Sequence, residues 1–377
     1  MKCKKWQFGS ILLFNLILLF FFSSLSLAKE PYKVGVILAT TGPYAGMGME
    51  DKLGAVLAAK KINETGGVDG HKIELIFEDD EGDPGKGSTA IRKLISVDKV
   101  LAIFGSTLNI VSHAMSLIAE EMKVPMIAPV PSAKVCEGKI FVFQNVVKEE
   151  STIEFIGQYI QRKKWKKLGI LHDATEYGMD LSSMLEKWLG GKGIPFVSAK
   201  FSPRASDVTP QWITLRNENV EGVFLVGGPH TAPAIAMKNR KQLGITTPVI
   251  GPSSLNNQKF LNLAGDAAEE MVLVSYFHYG KWTPGQMEFI NYINKNNPEV
   301  FPTLQHALGW DAIHLFAVAM KKAGSDSVKI RDELEKIKKY SGAAGEYNLS
   351  PSDHQPLGLK ALVYVKVQNG KFVLLGD

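Results

Sequence analysis

The sequence predicts an α/β protein built from two doubly wound lobes, and three observations carry that expectation. Short apolar runs alternate with amphipathic helical segments almost throughout, which is the rhythm of βαβ units. The runs are continuously apolar instead of alternating, as parallel strands are when helices cover both faces of their sheet. The third observation is size: 377 residues, less a leader of 28, leave 349, more than one hydrophobic core usually serves.

In chain order, residues 1–28 read as a cleaved secretory leader. Lys2, Lys4 and Lys5 precede an apolar run from Ile11 to Phe22 in which only Asn15 is polar, and Ser26-Leu27-Ala28 puts small side chains where a signal peptidase cuts. The run is too short to span a membrane comfortably. Cys3 lies before it, so no lipid anchor is expected. Strands are expected at Val34 to Leu38, Ile73 to Phe77, Val100 to Phe104, Val124 to Ala128, Leu168 to Leu171, Phe196 to Ala199, Val223 to Val226, Val249 to Ile250 and Val272 to Ser275. Helices include Lys52 to Asn63, Ser88 to Val97, Val111 to Met122, Ile153 to Arg162, Leu181 to Leu189, Ala232 to Leu243 and Gln286 to Asn296. The ending departs from this rhythm, because Leu359 to Val367 and Phe372 to Leu375 flank Asn369-Gly370 and read as a β-hairpin.

Charge and cysteine content narrow the function classes. The 43 basic and 38 acidic side chains give +5; without the three leader lysines the balance is 40 against 38, or +2, with bases dispersed. The densest basic cluster, Arg162-Lys163-Lys164 with Lys166-Lys167, ends an expected helix, where cations suit the dipole. Nucleic acid is therefore not an expected partner. Later apolar stretches fall well short of the roughly 20 residues that cross a bilayer, so the protein reads as exported but not embedded. Only Cys136 follows the leader, which leaves stability to packing and not to disulfides.

The search for reactive constellations is negative. The stretch VILATTGPYAGMG, residues 36 to 48, spaces its glycines as G-x-x-x-G-x-G, neither a dinucleotide fingerprint nor a phosphate loop, and Gly82 to Ser88 interrupts Gly-Lys with a further glycine. The eight histidines lack metal-ligand spacing. His172-Asp173 ends a strand with side chains on opposite faces, which prevents a relay. Glu78 to Glu81 with Asp83 does not follow a calcium-loop order and reads as a solvated strand-end loop. No G-x-S-x-G elbow occurs. Neither catalysis, a cofactor nor a metal is expected.

What remains is a set of strand-to-helix junctions rich in small and hydroxylic residues, at 40–48, 105–109, 129–133, 173–178, 227–231 and 251–254. Such junctions build binding crevices, since backbone N–H groups at helix starts hold anions and hydroxyl or amide side chains fix orientation.

The segments TGPYAGMG (41–48), INETGGVDGHKIELIFEDDEGDP (62–84), IAEEMKVPMIAP (118–129), LHDATEYG (171–178) and VGGPHTAPAIAMKNRKQLG (226–244), in this order and spacing, resemble the type I periplasmic solute-binding proteins of ABC importers, of the leucine-isoleucine-valine-binding kind. The resemblance implies two Rossmann-like lobes joined by three hinge crossings, lobe I being residues 29–147 with 277–345 and lobe II residues 148–276 with 346–377. It implies a monomeric periplasmic protein whose partners are a small solute and an inner-membrane ABC permease; the alternative is a soluble periplasmic sensor feeding a signalling receptor.

In that family a serine, a threonine and backbone N–H groups hold the ligand carboxylate in lobe I. The matching positions here are Asn109 and Ser132, with Thr107 and Val130 lining the same crevice. Tyr177 matches a lobe II tyrosine that closes over the ligand, and Met47 replaces an aromatic in the opening loop. The acid and tyrosine that hold an α-ammonium are replaced by Ser253 and Pro229. Burying an ammonium without a carboxylate costs several kcal/mol, so the expected ligand is a small carboxylate or amide without a conventionally placed ammonium, unless Asp173 or Glu176 supplies the charge. The family's lobe I disulfide is also absent, Glu81 and Leu108 standing at or near its positions.

Overall fold

The computed structural model describes residues 29–228, 231–277, 280 and 282–376; the expected leader lies outside the described residues. Two sheets organise the chain. The first is five-stranded and parallel, with β1 (Lys29–Leu38), β2 (His71–Asp79), β3 (Ala102–Gly105), β4 (Met126–Ala128) and β5 (Val142–Gln144) in the order β2-β1-β3-β4-β5. The second repeats that order as β7-β6-β8-β9-β10, from β6 (Leu168–Asp173), β7 (Phe196–Phe201), β8 (Gly222–Val226), β9 (Val249–Gly251) and β10 (Val272–Ser275). Two short strands, β11 (Tyr340–Ser341) and β12 (Glu346–Tyr347), pair with each other, and the hairpin of β13 (Val363–Gln368) and β14 (Lys371–Leu374) extends the second sheet beyond β10 in antiparallel register.

Helices connect the strands: α1 (Ala45–Glu64), α2 (Pro84–Ser96), α3 (Asn109–Met122), α4 (Glu149–Lys163), α5 (Glu176–Gly191), α6 (Thr209–Asn217), α7 (Ala232–Gln242) and α8 (Gln258–Ala264). The run α9 (Pro284–Asn296), α10 (Leu304–Ala323) and α11 (Ser327–Leu334) returns to the first sheet, where Ser327 Oγ donates to Leu101 O (2.9 Å). Local chemistry sets the helix starts. Asp83 accepts from the Lys86 N–H (2.8 Å) ahead of Pro84, and Thr175 accepts from the Gly178 N–H (3.1 Å). The continuous apolarity of β1 has its expected cause: Val34, Val36 and Leu38 pack with Ala55 and Leu57 of α1, whereas Ile37 joins Ile91, Leu94, Val111 and Met115 on the other face.

α1 and α10 meet backbone to backbone. A Cβ on Gly54 would lie 2.0 Å from the His306 carbonyl oxygen, and one on Gly309 would lie 2.0 Å from that of Asp51. This contact holds the first half of α10 against α1.

The chain passes between the two sheets after β5, after β10 and after α11. The first and third crossings are knotted together by buried polar groups. Asp311 accepts from the N–H groups of Ala343 (2.7 Å) and Ala344 (2.8 Å) and from the Tyr347 hydroxyl (2.8 Å), while Asn145 Nδ2 donates to Leu308 O (2.8 Å). Lys148 N–H donates to Leu357 O (3.2 Å) beside them.

The acid run differs from the solvated loop expected. Asp79 accepts from the Thr40 and Glu81 N–H groups and from Thr41 Oγ1 (2.7 Å), and buried Asp80 accepts from the Gly82 N–H and the Ser106 hydroxyl. These carboxylates build the turn after β2 and tie it to β1 and β3. Among the described residues no cluster of three metal-ligating side chains occurs, and no helix is long and apolar enough to cross a membrane.

Candidate functional site

In a doubly wound sheet of order 2-1-3-4-5, the helices on either side of the first strand start on opposite faces, and a crevice opens at the carboxyl ends of the strands there. This chain has two such switch points, and they face each other. Residues following β1, β3, β4 and β5 meet residues following β6, β8, β9 and β10 around one cavity of about 290 Å³. Ligand cavities commonly run from about 300 to 1,000 Å³. The space suits a small solute.

On the first-sheet side the wall comprises Tyr44 and Met47, Thr107 to Ile110, and Pro129 to Pro131. Thr107 Oγ1 and Asn109 Nδ2 are buried there without a hydrogen-bond partner. Asn109 is not a helix cap: Leu108 holds the N-cap position, and no side chain caps α3. An amide and a hydroxyl left unmade beside a helix N-terminus constitute a ready anion cradle.

The second-sheet side supplies Thr175, Glu176, Tyr177, Gly228, Ser253, Ser254 and Tyr276. Burial pushes the Tyr177 phenol up, against the hydrogen bond of Ser254, and burial likewise raises Tyr276. Both hydroxyls therefore remain protonated donors at neutral pH. The crossing contributes Val146, Val147 and Glu149, and α10 contributes Gln305 and Leu308. At the mouth, Lys134 of the first body pairs with Asp180 (2.9 Å) and Glu176 (3.4 Å) of α5.

Of the residues singled out from the sequence, Met47, Thr107, Asn109, Val130, Tyr177 and Ser253 share this wall. Ser132 does not: it stands ahead of the 3-10 turn Ala133–Val135, and its carbonyl accepts from Gln144 Nε2 (3.1 Å), so the wall at this junction is made by Pro129, Val130 and Pro131. Pro229 lies outside the described residues. Asp173 is off the wall as well, for its carboxylate accepts from Thr175 and from the Gly228 N–H and shapes the two turns from beneath. His172 Nδ1 meets the Asp173 backbone oxygen (2.8 Å), and no His-to-carboxylate relay forms. Of the glycines of the opening junction, Gly46 and Gly48 belong to α1, and Gly48 serves packing, since a Cβ there would sit 2.0 Å from Ala39 O.

Glu149 was not legible as a wall residue. It opens α4, where an acid ordinarily answers the helix dipole from solvent. Here it is only 6% exposed, and its Oε1 has no hydrogen-bond partner. Burial, with lesser repulsion from Asp180, Glu150 and Glu176 and relief from Lys134, pushes its carboxyl up to about 7. The signal that could have found it is its place directly behind a crossing segment.

Comparison with known proteins agrees with this fold. The sequence model of the family described as periplasmic binding protein matches residues 31–371. The leucine-, isoleucine-, valine-, threonine- and alanine-binding protein of Pseudomonas aeruginosa is 27% identical over 319 residues, 83% of this chain and 84% of that one. The Leu/Ile/Val-binding protein of Escherichia coli K12 is 27% identical over 263 residues, 68% of this chain and 71% of its own. In fold, a leucine-binding protein of Thermotoga maritima superposes with a TM-score of 0.83 at 23% identity, covering 91% of this chain and 97% of that one. A branched-chain amino acid transporter substrate-binding protein of Streptococcus pneumoniae, in complex with isoleucine, gives 0.82 at 21%, covering 92% and 100%.

Proposed function

The chain belongs to the periplasmic binding protein family, to its type I, branched-chain amino acid kind, and from that premise we propose that it is the substrate-binding component of an ABC importer. It captures a small amino acid, or a related carboxylate or amide, between its two lobes and presents the closed form to an inner-membrane permease. The single observation carrying this reading is the cavity at the paired switch points, with Thr107 Oγ1 and Asn109 Nδ2 unpartnered on an otherwise largely apolar wall. Residues 29–147 with 277–345 form lobe I and 148–276 with 346–377 form lobe II, and the knot around Asp311 is the hinge. The mature protein acts as a periplasmic monomer after removal of residues 1–28.

Closure follows from differential contact. A solute that touches one lobe in the open form and both in the closed form shifts the equilibrium by the added contacts alone. The exposed Lys134 bridge to Asp180 and Glu176 contributes about 0–1 kcal/mol and so latches the mouth only weakly. The ligand has to supply most of the drive.

The test is native mass spectrometry of mature protein purified without denaturation, followed by thermal-shift screening of amino acids, phenylacetate, benzoate, short fatty acids, amides and urea. At one hundred times Kd a specific ligand adds about 2.7 kcal/mol, enough to raise Tm by several degrees. No co-purified solute and no shift with any compound would end the reading. Co-purification with a permease, as opposed to a receptor kinase, separates import from sensing.

A further inference from the structure

We infer that Glu149 is the specificity-determining residue of the cleft, pairing with a protonated amine of the ligand from the hinge side. This deepens, and rests on, the reading of the cavity as a solute site. It also revises the sequence expectation, which found no counter-charge because Ser253 and Pro229 occupy the positions where one was sought.

The argument begins from the charges on the wall. Among the described residues it carries two carboxyl groups, Glu149 and Glu176, and no lysine, arginine or histidine. Glu176 is already engaged across the mouth by Lys134 (3.4 Å). The other nearby base, Lys148, pairs with Asp353 at 3.0 Å. Glu149 is thus left more than nine-tenths buried, with Oε1 unpartnered. Among the described residues no cation forms an ion pair with Glu149, Lys134 acting on it only from the mouth while paired to Asp180 and Glu176. A buried carboxyl without a direct partner is costly, and a ligand cation would relieve it.

The anion cradle and this acid belong to different helix starts on the same cavity wall. Thr107 and Asn109 precede and open α3, whereas Glu149 opens α4 beyond the first crossing. A solute with an anionic group on the first and an ammonium on the second satisfies both sets of orphaned atoms. A plain carboxylate would satisfy the cradle but leave Glu149 unanswered and add a like charge to the cavity. The ligand class is therefore a small zwitterion, with its amine directed to the hinge instead of to the loops after β8 and β9.

The test compares pairs of probes on the full mature chain by isothermal titration calorimetry. The twenty L-amino acids, β-alanine and 4-aminobutanoate are titrated first, then the des-amino and N-acetyl analogues of whichever binds best. The expected result is a loss of at least 30-fold on removing or acetylating the amine. Glu149→Gln, shown to be folded by circular dichroism and an unreduced ligand-free Tm, should lose at least 30-fold for the amino acid and nothing for its des-amino analogue. Des-amino acids or amides binding wild type as tightly as amino acids would overturn the inference while leaving the solute site intact; so would undiminished amino-acid affinity in Glu149→Gln. If no compound of either class binds, the solute-site reading falls and takes the inference with it. Where Glu149→Gln does not fold, Glu149→Asp takes its place: it should weaken the amino acid and spare the des-amino analogue, and undiminished amino-acid affinity in that variant overturns the inference.

Discussion

Substituting the same residue twice in α1 should give opposite signs. At Gly54 a methyl group would stand 2.0 Å from the His306 carbonyl oxygen, 2.8 Å from its carbon and 3.0 Å from the Trp310 nitrogen, all of them backbone atoms that cannot rotate away. Relieving the first contact to about 3 Å, the closest approach such pairs ordinarily show, requires α1 and α10 to separate by about 1 Å. A gap of that size forfeits a quarter to a half of each dispersion well along the seam, where Ala55, Ala58, Leu308 and Ala312 are all buried. Overpacking of this kind costs about 1–3 kcal/mol and sometimes more. Alanine returns up to about 1 kcal/mol through helix propensity, so the net for Gly54→Ala is a loss of about 2 kcal/mol when overpacking costs the upper end of that range, as three backbone contacts at 3.0 Å or less imply. At Gly46 the nearest atom is the Lys259 side chain at 3.9 Å. Gly46→Ala should therefore be neutral or stabilising by up to about 1 kcal/mol. Urea unfolding followed by circular dichroism measures both. A neutral Gly54→Ala would show that the two helices are not in backbone contact, and the placement of Gln305 and Leu308 on the cavity wall would lose its support.

That helix pair also marks where the sequence was hard to read. Strands buried on both faces announce themselves as apolar runs, and β10 falls at Val272–Ser275 as expected. The hairpin was legible because only a few residue types accept positive φ, and Asn369 and Gly370 adopt φ of 52° and 68°. The start of α1 was placed seven residues late, at Lys52 instead of Ala45, because Gly46 and Gly48 read as loop. α10 went unmarked: fourteen of its residues are buried, so it has no polar stripe to set a 3.6-residue period. The three-residue β5 is too short to stand out from its surroundings. At the cavity, the junctions 105–109 and 173–178 were legible because position beyond a parallel strand is a topological property, and the resemblance to the family pointed within them to Thr107, Asn109 and Tyr177, which lie on the wall. Ser132, singled out with them, lies off the wall, and Glu149, which is on it, went unmarked, because which way a side chain faces at a crossing depends on packing between distant segments.

Two further predictions concern the site and its support. Thr107→Val and Asn109→Ala should each weaken the affinity of the bound solute by about ten- to a hundredfold, the worth of a hydrogen bond to a charged group. Ser132→Ala, off the wall, should leave calorimetric affinity unchanged. The last prediction is acid sensitivity from His306, which is 4% exposed and accepts the Thr303 N–H (3.1 Å) at Nδ1 in the first turn of α10. Burial pulls this imidazole from 6.5 down to about 4. Between those values the unfolded chain binds a proton that the native one does not, so stability is complete above pH 6.5 and is lost as pH falls toward 4, by up to about 3 kcal/mol. Burial holds Glu50 at about 6 and both Glu149 and Asp311 at about 7. Those raised carboxyls act in the opposite sense, losing stability as pH rises, so the raw profile mixes both signs. His306→Gln keeps an acceptor at the third helical position for the Thr303 cap and removes the titration. Subtracting its urea-unfolding profile from that of wild type between pH 4 and 7.5 should leave a single slope confined below pH 6.5. A flat difference would mean that His306 takes up its proton in the folded protein as readily as in the unfolded chain, and that the first turn of α10 is open to water.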